Sequence, residues 1–132
     1  MFDIDHLDRE KTLFAMEGLM DLAVLRTYPL FKNSTSIFGA NLTKRQIMLL
    51  KEFNKGIVYI PDLDKAGDAT VLALKDAGIK NVQVLRPPES IDGHVIKDVG
   101  DLGKIGYPIR KLVERKWLNY MIKVEDFKPK YN

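Results

Sequence analysis

The sequence has no cysteine and only two histidines, His6 and His94, in 132 residues. Disulfides and cysteine-ligated zinc or iron centres are therefore excluded. The spacing of the two histidines matches no zinc motif. No apolar run approaches the roughly 20 residues needed to cross a bilayer, and the charged opening MFDIDHLDRE carries no signal peptide. The expectation from these absences is a soluble, cytoplasmic domain with no membrane partner. Internal repeats and low-complexity stretches are also missing, and the length suits one domain able to bury a core without staples.

What is present is charge, unevenly placed. Residues 1–103 carry 13 basic and 15 acidic side chains, whereas residues 104–132 carry 8 basic and 3 acidic. An acidic body can host cations, and a basic end can meet phosphates. Taken alone, the basic end is explained slightly better as an ordinary solvated amphipathic helix.

Hydrophobic periodicity orders the chain into alternating strands and helices. Thr12–Met16 reads as a strand, Leu19–Arg26 as a helix and Thr35–Phe38 as a weaker strand. Thr43 opens a helix, with Gln46 at capping-box spacing and Ile47, Leu50 and Phe53 on one face. Gly56–Ile60 is a continuous β-branched run of the kind buried on both faces of a parallel sheet. Lys65–Ala77 is a helix stopped by Gly78, and Val82–Leu85 is a fourth strand ended by Pro87 and Pro88. Ser90–Gly106 is loop-rich, Pro108–Ile122 reads as a last amphipathic helix, and Val124–Asn132 as a loose tail. The expected fold is α/β: about four mostly parallel strands with helices on both faces, joined by right-handed crossovers.

In such a sheet, ligands gather beyond the carboxyl ends of the strands. Glu17 follows the first strand, Asp62 and Asp64 the third, and Asp98 and Asp101 the fourth. Each acid has an ordinary explanation: Asp64 as a helix N-cap, Asp62 as a turn former after Pro61, the others as surface charge. Their convergence on one edge favours a metal site. Clustered carboxylates repel one another, and a divalent cation removes that penalty. Mg²⁺ takes hard oxygen ligands and phosphate oxygens together. A lone Glu at such an edge serves equally as general acid or base. Gly18 and Gly67 admit close backbone approach or tight packing. Lys65 and Lys97 flank the acids.

Four blocks in order resemble the Toprim family. EGLMD (Glu17–Asp21) resembles its first motif, and DLDKAG (Asp62–Gly67) its Asp-x-Asp motif with a primase-like continuation. SIFGANLT, from Ser36, resembles the Gly-Thr segment of bacterial primases. KDVGDL (Lys97–Leu102) is similar to the Lys-Asp-x-x-Asp-Leu run of phage and mitochondrial-type primase-helicases.

The resemblance implies a Toprim, Rossmann-like fold over 12–103, after an N-terminal lead-in (1–11) and before a basic helix and tail (104–132). It implies Mg²⁺ or Mn²⁺ held by Glu17, Asp62, Asp64 and Asp98, with Glu17, Asp62 and Asp64 catalytic. Asp21, Asp101, Lys65, Gly18 and Gly67 are supporting candidates. Lys65, Lys97, Arg110, Lys111, Arg115 and Lys116 are candidates for nucleic-acid contact. The implied activity is that of a DNA primase domain, a nucleotidyltransferase making primers in a bacterial or phage-infected cell. Implied partners are DNA or RNA, nucleoside triphosphates, and a replicative helicase or the rest of a larger primase chain. A small stand-alone Toprim nuclease or RNA-processing enzyme is the second expectation, and a non-catalytic nucleic-acid-binding module the third.

The chain departs from the family at Pro61, which removes an N–H beside Asp62, and in the long stretch from Arg86 to Asp98. It has no zinc module and no Walker A motif, so no helicase motor is expected. Only eleven residues precede the first expected strand, which suits either an excised piece or a small complete protein.

Overall fold

A computed structural model describes residues 3–26, 31–37, 42–104 and 121–131. Strand β1 (Leu13–Met16) leads into helix α1 (Leu19–Arg26), then β2 (Ser34–Ser36) and α2 (Lys44–Leu50). Strand β3 (Ile57–Ile60) precedes α3 (Lys65–Asp76) and β4 (Val82–Leu85). A small hairpin, β5 (Ser90–Ile91) and β6 (His94–Val95), leads to α4 (Val99–Lys104), and β7 (Met121–Lys123) follows.

Five strands form one sheet in the order β2-β1-β3-β4-β7. The first four run parallel, and β7 pairs antiparallel with β4. Alternation along each strand sends side chains to two cores. Leu13, Ala15, Ile57, Tyr59, Val82 and Val84 face α2 and α3 in the larger one. Met16, Val58, Ile60 and Leu85 face Leu22 of α1 and Val99 and Leu102 of α4 in the other. All four residues of β3 are buried, as its unbroken apolar run requires.

Local signals set the helix ends. Thr43 Oγ1 accepts from the Gln46 N–H at 3.1 Å, and Gln46 Oε1 accepts from the Thr43 N–H at 3.0 Å, completing the capping box. Gly78, at φ +69°, turns the chain out of α3.

Three expectations change at the end of the chain. The last helix does not extend through Ile122: Met121–Lys123 is a fifth strand. Met121 packs toward one core and Ile122 toward the other, so a two-residue period governs here. Arg110, Lys111, Arg115, Lys116 and Trp117 lie outside the described residues. The tail is not loose: Val124 and Phe127 are buried in the larger core. The segment expected to be loop-rich holds the β5–β6 hairpin, which turns through Asp92 and Gly93 at positive φ, and helix α4. Strand β2 also begins one residue earlier than its sequence pattern suggested, and Phe38 lies outside the described residues.

Phe127→Ala is expected to cost about 3 kcal/mol or more in urea unfolding, the usual loss for a buried aromatic. An unchanged midpoint would mean that the tail does not pack as described.

Candidate metal centre

The carboxyl ends of β1 and β3 lie side by side in the sheet, with Met16 opposite Ile60. The next residues of each strand therefore emerge at neighbouring points on one edge. Ser36 holds the first of these loops, its Oγ donating to the Glu17 carbonyl at 2.6 Å. Asp21 follows in the first turn of α1 and is only 7% exposed. Asp62 follows β3 directly after the buried Pro61. Asp98 does not stand at the end of β4 itself but arrives after the hairpin, just before α4.

Carboxylate oxygens of Asp21, Asp62 and Asp98 all lie within 4.8 Å of one another. Backbone donors fix two of them. The Gly100 N–H donates to Asp21 Oδ1 at 2.7 Å, and the Asp101 N–H donates to Asp98 Oδ1 at 2.9 Å. The loops are joined by the Leu63 N–H, which donates to the Lys97 carbonyl at 2.7 Å. Asp101 supports the same turn, its Oδ2 accepting from the Lys97 N–H at 2.8 Å.

Three glycines make the crowding possible. A Cβ on Gly18 would lie 2.8 Å from Asp21 Oδ2, and one on Gly100 would lie 2.9 Å from Asp21 Oδ1. A Cβ on Gly67 would lie 2.0 Å from the Asp62 carbonyl oxygen. Gly67 is thus required by contact between the first turn of α3 and the Asp62 backbone.

The arrangement redistributes the sequence candidates. Asp21, a supporting candidate by sequence, is one of the three clustered carboxylates. Asp64 stands outside it, exposed, with Oδ1 capping α3 through the Gly67 N–H at 2.7 Å. Glu17 is half-buried, and its Oε2 is buried with no hydrogen-bond partner among the described residues. Lys65 and Lys97 are exposed beside the acids, and Lys104 pairs with Asp101 at 3.6 Å. His94 is exposed on β6. Sequence reading missed Ser36 and Gly100; the small residue between Asp98 and Asp101 in KDVGDL was the available signal for the second.

Charge crowding shows in the titration of the cluster. Burial, then repulsion from Asp98, Asp101 and Glu17, pushes the Asp21 carboxyl up to about 6, against a lowering by the Gly100 N–H. Burial, followed by Asp21, Glu17, Asp64 and Asp98, pushes Asp62 up to about 7. Hard oxygen donors, mutual repulsion and an orphaned buried carboxylate oxygen on Glu17 together fit a divalent cation.

The raised values also carry a stability consequence. The unfolded chain ionises these acids near 3.8, whereas the folded one holds their protons to about 6 and 7. Stability without a cation therefore falls as pH rises from about 4 to 7. In chelator at pH 8, Asp62→Asn is expected to raise the melting temperature by a few degrees, on the order of 1–2 kcal/mol after solvent screening. At pH 4 the gain should vanish; an equal gain at both pH values would refute the repulsion. Gly67→Ala is expected to destabilise the fold by about 2 kcal/mol, read by urea unfolding, where wild-type stability would contradict the close contact.

The family model described as Toprim-like matches residues 14–93. A DNA primase of Clostridium acetobutylicum is 33% identical over 85 residues, covering 61% of this chain and 14% of that protein. A DNA primase of Lactococcus lactis subsp. lactis is 32% identical over 88 residues, covering 65% of this chain and 14% of its own length. Among solved structures, a DnaG primase catalytic domain bound to ssDNA superposes with a TM-score of 0.61 at 18% identity, over 94% of this chain and 38% of that one. That superposition bears on the fold, a mostly parallel sheet flanked by helices. With its acidic edge built on that sheet and more than half its length matched, the chain belongs to the Toprim-like family.

Proposed function

We propose that this chain is the Toprim catalytic domain of a DNA primase, carrying out Mg²⁺-dependent phosphoryl transfer on nucleic acid. The observation that carries the proposal is the meeting of Asp21, Asp62 and Asp98 within 4.8 Å at the carboxyl edge of the sheet. The DNA primases to which the chain is similar support the choice of reaction, as does the single-stranded DNA named for the structural neighbour. The chain spans 14% of the length of those curated relatives, so nucleoside triphosphates, a helicase and the rest of a primase enter here as proposed partners.

Asp21, Asp62 and Asp98 would hold Mg²⁺ or Mn²⁺, with Glu17 beside them and Asp64 adding charge from the helix cap. A bound ion would neutralise phosphate oxygens and increase the acidity of an attacking hydroxyl. The chain's own contribution is position: strand ends and glycine contacts fix where the carboxylates point. Glu17, whose Oε2 is buried with no hydrogen-bond partner among the described residues, would serve as a further cation ligand or as general base toward a 3′-hydroxyl. Lys65 and Lys97, exposed beside the acids, would meet phosphate on the solvent side.

Two measurements test this reading. Calorimetric titration with Mg²⁺ or Mn²⁺ should show saturable binding by the wild type, stronger at pH 8 than at pH 5.5 because binding displaces protons from Asp21 and Asp62. Asp62→Asn should weaken it by about tenfold or more. Equal binding by both proteins would remove the site assignment. Incubation with single-stranded DNA, RNA and nucleoside triphosphates, with the remainder of a primase supplied in trans, should yield primers. Cation-dependent cleavage by the chain alone would replace the primase with a stand-alone nuclease.

A further inference from the structure

Asp68 lies on α3 four residues beyond the helix cap, and its side chain is 3% exposed. A buried carboxylate needs partners, and this one has three among the described residues. Arg86 Nη2 donates to Oδ1 at 3.0 Å. The backbone N–H groups of Lys130 and Tyr131 donate to Oδ2 at 2.7 and 2.9 Å. Arg86 also donates to the Lys128 carbonyl at 3.0 Å, and its guanidinium lies 4.3 Å from the centroid of the Phe127 ring. With both oxygens engaged by the protein, Asp68 is no cation ligand. It clasps the end of the described chain onto the first turn of α3.

This clasp touches both loops that supply the acidic cluster. On one side, Gly67 is in contact with the Asp62 backbone so close that a Cβ would overlap it, and Asp68 is the next residue. A shift of Asp68 therefore moves Asp62. On the other side, Arg86 follows β4, and Glu89 in the same loop accepts from Lys130 Nζ and from Tyr131 Oη. The Glu89 carbonyl accepts from the Ile96 N–H at 2.9 Å at the base of the hairpin, and Lys97 and Asp98 follow at once. The Lys97 carbonyl closes the circuit by accepting from the Leu63 N–H, beside Asp62. The contacts form a ring: Asp62, Gly67, Asp68, Tyr131, Glu89, Ile96, Lys97, Leu63.

We infer that Asp68 and Arg86 are positioning residues for the metal centre, setting the separation of Asp62 and Asp98 by clamping residues 127–131 across α3 and the β4–β5 loop. The inference rests on the proposed cation site. Small displacements matter because cation ligands must be held to within fractions of an ångström, and groups outside the ligand set control that geometry.

The test measures Mn²⁺ affinity by electron paramagnetic resonance, and thermal melting in parallel, for the full chain. Asp68→Asn removes one charge-assisted acceptor and should bind Mn²⁺ roughly five- to tenfold more weakly while still folded. Arg86→Lys keeps the net charge but loses the double donation from Nη2 and the ring stacking, and should bind about two- to threefold more weakly. Ile79→Val, a truncation in the larger core well away from the acids in sequence, should lower the melting temperature and leave the affinity alone. That contrast separates positioning from general destabilisation. Wild-type affinity in Asp68→Asn would overturn the inference; if that variant fails to fold, wild-type affinity in Arg86→Lys would do so. Weakening in Ile79→Val equal to that in the clasp variants would also overturn it. Absence of Mn²⁺ binding in the wild type is a different result, which removes the proposed function and the inference together.

Discussion

Three carboxylates held within 4.8 Å of one another, two of them on acids pushed up to about 6 and 7, oppose the fold that contains them. Like charges at that distance repel strongly in a partly desolvated site. Much of the surrounding structure can be understood as what keeps them together without a cation. Backbone N–H groups from Gly100 and Asp101 point at two of them. Glycines at 18, 67 and 100 remove the Cβ atoms that would otherwise fill the space. Behind them stands a sheet buried on both faces, with β3 at its centre.

The strand order explains which acids meet. Strands β1 and β3 are neighbours, so the loops after them start from strand ends about 4.8 Å apart. Strand β4 lies on the far side of β3 from β1, and Pro87 and Pro88 follow its end. To return a carboxylate to the cluster, the chain uses the hairpin and enters α4 beside α1, where Gly100 reaches Asp21. The long stretch between Arg86 and Asp98 is the connection this return requires.

The strands and first three helices were legible because each carries a local signal: the β-branched run of β3, the Thr43–Gln46 box, the stop at Gly78. The acidic edge was legible because strand ends are where a parallel sheet presents side chains. The weight of its members was not. Asp64, read from sequence as a helix N-cap able to serve a cation as well, does cap α3 through Oδ1. Asp21 was read only as a supporting candidate because its approach to Asp98 depends on α1 meeting α4, a contact no local pattern encodes. The end of the chain misled for a similar reason. Met121, Ile122, Val124 and Phe127 suit a helical stripe or a short strand equally well in sequence, and only the open edge of β4 and the buried Asp68 decide between them.

A Mg²⁺ site makes a particular demand on such a fold. Structural zinc can organise its own ligands, because its binding free energy is large enough to fold a small domain. Mg²⁺ gives up its waters reluctantly and usually takes only one or two carboxylates, so it contributes far less. Even at a hundredfold excess over its dissociation constant, a ligand adds only about 2.7 kcal/mol to stability. A protein that holds Mg²⁺ in the proposed way would have to preform the carboxylate cluster and bear the repulsion before the ion arrives. Two apolar cores, three close glycine contacts and a clasp reaching from Asp68 to Tyr131 are means suited to that demand. On the proposed reading, residues in α3 and at the end of the described chain would belong to the site's design as much as the carboxylates do.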